Sequence, residues 1–264
     1  MRNGILAKLG ALIVVAAASG ATGARADLLD DIIKRGKILV AIDISAPPFG
    51  IQNEKMQPDG SDVETARLLA KDLGVELEVV PTTSANRIAY LQSKRVDVTM
   101  SSFSVTPERA KAVSFSFPYG AINAVIFAPK SVAITGPKDL AGKKIGVTRG
   151  TTNETDLVAI APPDAQIIRF DDEASTMSAL ASGQVDAYSA GEPLARSLIP
   201  RYPDKNFESK FVMRSSFYAA AVRRDEPGLL QWINTFMWFH KNNGDLGRIY
   251  QKWLGVPLPD LPPL

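Results

Sequence analysis

Two short stretches carry the residue types that grip an anion. Met100-Ser-Ser-Phe-Ser-Val-Thr-Pro-Glu-Arg109 offers hydroxyls and backbone N–H groups, then an arginine on a new helical turn primed by Thr106-Pro-Glu. A guanidinium takes a carboxylate through two parallel hydrogen bonds, which a lysine cannot copy. Gly146-Val-Thr-Arg-Gly-Thr-Thr-Asn153 runs from an apolar strand pattern into a glycine turn and a helix start. Free N–H groups at such a start bind anions, and Thr152 adds a hydroxyl. Read singly, each stretch is also an ordinary polar loop. Read together, they are two anion-binding corners, and a carboxylate held between them would close a cleft.

Other chemistries lack their residues. The chain has 264 residues, no cysteine and one histidine, His240. That excludes disulfides, thiolate metal sites and a cysteine nucleophile, and leaves a histidine-based triad or zinc site with nothing to work with. His240 falls near the end of an apolar helix, where it complements the helix dipole. There is no phosphate-binding P-loop and no G-x-G-x-x-G. We expect no cofactor and no metal.

The two corners must be positioned by regular elements, and the first residues are not among these. Arg2 and Lys8 precede or flank an apolar run over residues 9–18, and Ala24-Arg25-Ala26 supplies small residues at the two positions a signal peptidase reads. Residues 1–26 therefore read as a secretory signal peptide cleaved after Ala26, too short in its apolar run to span a bilayer. Its removal takes Arg2, Lys8 and Arg25 and no acid, so the formal charge falls from +2 to −1. The basicity belongs to the leader, and nothing in the charge calls for a nucleic-acid partner. With no further apolar run of membrane-spanning length, the mature chain reads as soluble.

Strand and helix patterns alternate along the mature chain. Residues 28–35 read as a helix stopped by Gly36, 38–42 as a buried strand, and Asp62 as the N-cap of a helix that Gly74 ends. Strands at 75–80 and 96–100 flank a helix at 86–93. The order repeats with strands at 143–147, 166–170 and 185–189 and helices at 151–160 and 173–182. Leu91-Gln-Ser-Lys-Arg-Val-Asp97 and Leu180-Ala-Ser-Gly-Gln-Val-Asp186 share the pattern L-x-S-x-x-V-D, each where a helix feeds a strand. This argues for parallel α/β sheet in two similar lobes. Apolar helices at 227–242 and 246–254 and a proline-rich tail close the chain.

The order Gly36-Lys-Ile-Leu-Val, Asp43…Pro48-Phe49, Gly60-x-Asp62, Val96-Asp97, Ser101 to Arg109, Phe115-Ser-Phe-Pro-Tyr119, Gly142-Lys…Gly146-Val…Gly150-Thr-Thr152 resembles the family-3 extracellular solute-binding proteins. The likeness runs over about residues 28 to 255, and the serine-to-arginine segment with its Phe-Ser-Phe-Pro-Tyr is its most specific part. The resemblance implies a periplasmic-binding-protein-like α/β fold: two α/β lobes joined by two crossover strands, with the ligand cleft between them. Residues 117–129 and 217–222 suit the crossovers, which makes lobe 1 discontinuous (27–127 plus 217–264) and lobe 2 residues 128–216. It further implies a monomeric periplasmic receptor that captures a polar amino acid or related small carboxylate and delivers it to an ABC permease in the inner membrane.

By the same resemblance, Arg109 holds the ligand α-carboxylate and Thr152 with its turn meets it across the cleft. Ser102 and Ser104 bind the carboxylate and amino groups, Asp43 stands where some members hold a cationic side chain, and Ser84 and Arg87 where receptors for acidic amino acids reach the ligand side chain. Asp43 also reads as a turn or cap residue, and Arg87 as a surface residue of a helix. Two departures stand out. Ala46 occupies the place of a ligand-stacking aromatic, and Gly191 that of an aspartate gripping the α-ammonium, with Glu192 one residue on as its substitute. Two rival readings stay open: a cyclohexadienyl-dehydratase-like periplasmic enzyme drawing on Glu173, Glu192 or Asp43, and a sensing module docking on a membrane receptor.

Overall fold

The computed structural model describes residues 27–262. The expected signal peptide and the last two residues of the tail lie outside them. In chain order the elements are α1 (Leu28–Arg35), β1 (Lys37–Ile42), β2 (Ile51–Gln52), β3 (Pro58–Asp59), α2 (Ser61–Leu73), β4 (Glu76–Pro81), α3 (Arg87–Gln92), β5 (Val98–Thr99), α4 (Pro107–Ala110) and β6 (Ser114–Pro129). Then follow β7 (Lys144–Thr148), α5 (Thr152–Ile160), β8 (Gln166–Phe170), α6 (Glu173–Ser182), β9 (Ala187–Gly191), α7 (Glu192–Arg196), β10 (Phe207–Val222), α8 (Pro227–Asn242) and α9 (Asp245–Leu254).

Local chemistry sets most of these boundaries. Asp27 caps α1 by accepting from the Leu29 N–H, and Gly36 ends it in the left-handed conformation at φ 71°. Asp172 caps α6 through the Ser175 N–H, and Gly183 ends it the same way. Asp62 does not cap α2. That helix starts at Ser61 behind Gly60, whose φ of 119° suits glycine and whose missing Cβ admits the Phe49 carbonyl. Asp62 is thereby turned inward.

Eight strands form one mixed sheet in the order β4-β1-β5-β10-β6-β9-β7-β8. β1 lies parallel to β4 and β5, β7 lies parallel to β8 and β9, and these trios flank an antiparallel pair, β6 and β10. The pair runs from Phe207↔Pro129 to Val222↔Ser114 with register shifts along it, and it carries the chain between the two halves twice. The second crossover is longer than residues 217–222. Its first part, with Glu208, Ser209, Lys210, Arg214 and Ser215, is half exposed, so no apolar run announces it.

Each half has its own core. On one side Ile38, Val40 and Ile42 pack with Leu69, Leu229 and Phe236. On the other, Val125, Phe127, Tyr188 and Leu194 form one cluster, and Ile126, Ile145, Val147 and Leu157 another. α8 and α9 return to the first half. His240 is more than a dipole partner there: its Nδ1 lies 2.6 Å from Asp245 Oδ2 and its Nε2 2.7 Å from Asp72 Oδ2, pinning α8 to α9 and α2. No helix among the described residues is long and apolar enough to cross a membrane.

Candidate functional site

Ligands of open α/β sheets sit beyond the carboxyl ends of the strands, and here every such end of the two parallel trios opens on one cleft. Asp43 follows β1, Ser84 and Arg87 follow β4, and Ser101, Ser102 and Ser104 follow β5. Thr151, Thr152 and Asn153 follow β7, Glu173 follows β8 and Gly191 ends β9. The crossovers supply the floor with Ile122, Ala124 and Ser216, and the cleft encloses about 530 Å³ of empty space, part of it open to solvent.

Both arginines are built in rather than loose. Arg87 is buried, with 4% of its surface exposed. It donates from Nε to the Ser84 carbonyl (3.0 Å), from Nη1 to the Ser101 carbonyl (2.9 Å) and from Nη2 to the Gly150 carbonyl (3.3 Å). Arg109 rises from α4, whose cap Thr106 accepts its N–H. It donates from Nη1 to the Ser104 carbonyl (2.8 Å) and from Nη2 to the same Gly150 carbonyl (2.9 Å). The two guanidinium carbons stand 4.6 and 4.5 Å from the centre of the Phe103 ring. Burial lowers the pKa of Arg87. Burial, then the charges of Arg87 and Arg214, lower that of Arg109 to about 9, which still leaves it charged at neutral pH. One buried and one half-buried cation, both giving these hydrogen bonds to neutral carbonyls, keep further donors for an anion.

The facing corner is shaped for close approach. Thr151 caps α5 by accepting the Glu154 N–H, and Glu154 in turn accepts the Gly150 N–H at 3.0 Å. A Cβ at Gly150, which has φ 73°, would stand 2.7 Å from the Ala85 Cα of the opposite half. Thr152 Oγ1 and Ser216 Oγ lie 3.5 and 3.4 Å from Ser104 Oγ. Hydroxyls from both halves and a crossover thus ring one point beside Arg109. Ser102 takes φ 41°, a left-handed conformation uncommon outside glycine, and its N–H donates to Asp62 Oδ2 at 2.7 Å. Tyr119 OH donates to the other oxygen of Asp62, whose burial lifts its pKa to about 7.

Of the eight residues singled out from sequence, Asp43, Ser84, Arg87, Ser102, Ser104, Arg109 and Thr152 line this cleft. Glu192 does not. Its oxygens accept from Asn123 Nδ2 and Ser209 Oγ, each at 3.2 Å, and it borders a separate groove with Arg196 and Trp253. The reason is the end of β9: Gly191 faces the cleft as the last strand residue, so the next side chain turns toward the crossovers. A Cβ at 191 would meet Ile122 Cδ1 at 2.4 Å, so Ile122 would have to shift to admit a side chain there. Ala46 lines the cleft and brings no ring.

Sequence reading missed Asp62 as the brace of the serine loop, Phe103 as the base under both arginines, and Gly150 as their common acceptor. The glycine turn and the Ser-Phe-Ser spacing were visible, but not what faced them. Among the described residues no group of three or more His, Asp or Glu is placed to hold a metal ion.

A family model described as bacterial extracellular solute-binding proteins, family 3, matches residues 38–256. The L-cystine-binding protein TcyJ of Escherichia coli is 30% identical over 248 residues, which cover 93% of each chain. The ABC transporter glutamine-binding protein GlnH of Bacillus subtilis is 28% identical over 255 residues, covering 92% of this chain and 93% of that one. The solved solute receptor for L-cysteine of Neisseria gonorrhoeae superposes with a TM-score of 0.80 at 32% identity, over 86% of this chain and 93% of that chain. An ancestral amino acid-binding protein, described as a precursor of cyclohexadienyl dehydratase, gives the same TM-score and identity over 86% of this chain and 99% of its own.

Proposed function

The chain belongs to the bacterial extracellular solute-binding proteins of family 3, and we propose that it is a periplasmic receptor that captures a polar amino acid or related small carboxylate and delivers it to an ABC importer. One observation carries this reading. Arg87 and Arg109, rooted in one half, both donate across the cleft to the Gly150 carbonyl of the other. Closing the cleft and presenting two guanidiniums to an anion are therefore one event.

The mechanism follows from that geometry. A carboxylate enters the open cleft and meets Arg109, with Ser102, Ser104 and Thr152 adding hydrogen bonds, while Ser84 and Arg87 contact the rest of the ligand. The second half then swings in through its glycine turn, hinged on β6 and β10. Ligand drives closure because it binds the closed state better than the open one. On this reading lobe 1 is residues 27–127 plus 217–264 and lobe 2 residues 128–216, the leader is removed after Ala26, and the monomeric closed form docks on an inner-membrane permease.

A thermal-shift panel of the common amino acids, L-cystine, small organic acids and prephenate tests the proposal on chain 27–264. Ligand at about 1,000 times its Kd stabilises by about 4 kcal/mol, a rise in Tm of roughly 8–16 °C for a chain of this size. We expect such a rise with an amino acid or small carboxylate and its loss in Arg109→Ala; an unchanged rise in that variant refutes the assigned role. The ancestral neighbour's link to a dehydratase motivates one further arm. We read the chain as a binder without catalysis, and aromatic product formed from prephenate would overturn that.

A further inference from the structure

The cleft holds more negative charge than capture of a carboxylate uses. Asp43 leaves β1 with its backbone N–H held by Ser101 Oγ. Its Oδ1 accepts from the N–H and hydroxyl of Ser45, at 3.0 and 2.7 Å. Its Oδ2 is buried and has no hydrogen-bond partner, on a residue only 2% exposed that lines the cleft. A buried carboxylate oxygen left unpaired is costly, and native structures keep such atoms where something else satisfies them.

Glu173 enters from the opposite half, as the first residue of α6, and is 6% exposed. Its Oε2 accepts from both Thr148 Oγ1 (2.6 Å) and Tyr188 OH (2.5 Å). Thr176, which also touches Thr148 Oγ1, gives its own hydroxyl proton to the Asp172 carbonyl. The Thr148 proton is thus left for Glu173. Two hydroxyl protons converge on one oxygen, the pattern that suits an ionised carboxylate, and among the described residues none donates to Oε1. Among the described residues no lysine or arginine forms an ion pair with Asp43 or Glu173. Burial raises the pKa of both acids; Arg87 lies near enough for its charge to oppose that shift, but gives its hydrogen bonds to the Ser84, Ser101 and Gly150 carbonyls.

The cleft is therefore polarised. Arg109, Ser104, Thr152 and the Gly150 turn make an anion end, and Asp43 and Glu173, one from each half, line the same cleft. Position 191, where the resemblance implies an acid, is a glycine against Ile122, and Glu192 is turned away and already hydrogen-bonded.

We propose that Glu173 supplies the acid that position 191 lacks, so that the ligand's α-ammonium group is gripped between Asp43 and Glu173, one from each half. The inference rests on the receptor reading and narrows it to amine-bearing carboxylates. It also couples closure to the cation. Two carboxylates approach as the halves close, and a ligand with only an acid group leaves their repulsion unrelieved. A ligand with both groups bridges the halves at both ends.

Calorimetry on chain 27–264 tests this with four pairs: L-glutamate and glutarate, L-glutamine and glutaramate, L-arginine and 5-guanidinopentanoate, L-cystine and 3,3′-dithiodipropionate. In each pair the second compound lacks the α-amino group. For the pair bound most tightly, we expect the amino acid to bind at least tenfold better than its partner. That ratio should fall below threefold in Glu173→Gln, which keeps an acceptor for Thr148 and Tyr188. Asp43→Asn, which keeps an acceptor for Ser45, should act alike and stands in if the first variant does not fold, as ligand-free melts will show. An unchanged ratio in the folded variants overturns the proposal. So does wild-type protein that binds the partner compound as well as the amino acid, although the receptor reading then survives. Binding of none of the eight compounds overturns both.

Discussion

Replacing Gly150 by alanine should separate the fold from the closure. Two penalties follow from the structure, and they fall on different observables. The first is conformational. Gly150 has φ 73°, and a left-handed alanine costs about 1–2 kcal/mol. That cost is present whether the cleft is open or shut, so it lowers ligand-free stability by roughly 2–8 °C in Tm. The second exists only in the closed form. The new Cβ would lie 2.7 Å from Ala85 Cα and 3.0 Å from Ala85 N, backbone atoms that cannot swing aside. Restoring ordinary contact parts the two corners by roughly 1 Å. The hydrogen bonds from Arg109 and Arg87 to the Gly150 carbonyl, now 2.9 and 3.3 Å, then stretch past bonding distance. Hydrogen bonds to charged donors contribute about 1.5–3 kcal/mol each, so losing both weakens binding by at least about 3 kcal/mol, on the order of 100-fold. Calorimetry with the panel's strongest ligand reads the affinity, and small-angle scattering reads the ligand-induced compaction. Affinity within threefold of wild type, with full compaction, would refute the idea that closure runs through this contact.

Three further substitutions probe single parts of the frame. Asp62→Asn tests the brace behind the serine loop. Burial raises the Asp62 pKa from its ordinary 3.8 to about 7, so its ionised form is disfavoured in the fold. The penalty is absent below about pH 4, grows as pH rises and is full above 7, where it reaches about 4 kcal/mol. Urea melts should show the wild type losing stability from this group across that window and the variant losing much less; parallel curves would count against it. Phe103→Leu keeps an apolar side chain but removes the ring beneath both guanidiniums, each contact being worth about 0.5–2 kcal/mol. Calorimetry should find ligand affinity reduced about fivefold or more, and an unaltered Kd would discard the ring's role. His240→Ala unpins α8 from Asp72 and Asp245 and should cost about 2 kcal/mol at neutral pH without touching affinity. The His240 hydrogen bond is the main cause of the lowered Asp245 pKa. That part of the stability is present above the ordinary 3.8 and fades as pH falls through the lowered value, so melts of the two proteins should converge in acid.

Much of this was legible because it is local. A cap and a left-handed glycine within one helix fix α1 and α6, and the sequence marks both ends. Strands buried in the middle of the sheet, such as β1, betray themselves by unbroken apolar runs. The half-exposed part of β10 does not, since its partner β6 supplies the hydrogen bonds while Lys210, Arg214 and Ser215 stay polar. Asp62 misled for a related reason. An aspartate two residues after a glycine suits a cap, but its true partners, Ser102 and Tyr119, are 40 and 57 positions away.

The residues that close the cleft are hidden more deeply, because their meaning depends on which loops face each other. Gly150 looks like a turn glycine in any α/β unit, and only the Ala85 backbone opposite explains why its Cβ must be absent. Gly191 likewise looked like a missing acid, and the structure places Ile122 of the crossover strand against it. The two cases point to the same physical division. On the proposed reading, one glycine lets the halves meet where an anion is to be held, and the other leaves the expected place for a cation without an acid. Asp43 and Glu173 line the same cleft, so on the proposed reading the departures seen in sequence mark a rearranged site rather than a lost one. On that reading a receptor that must stay open until filled benefits from the placement: arginines with donors to spare and acids in the same cleft keep the closed state unfavourable until one ligand satisfies them together.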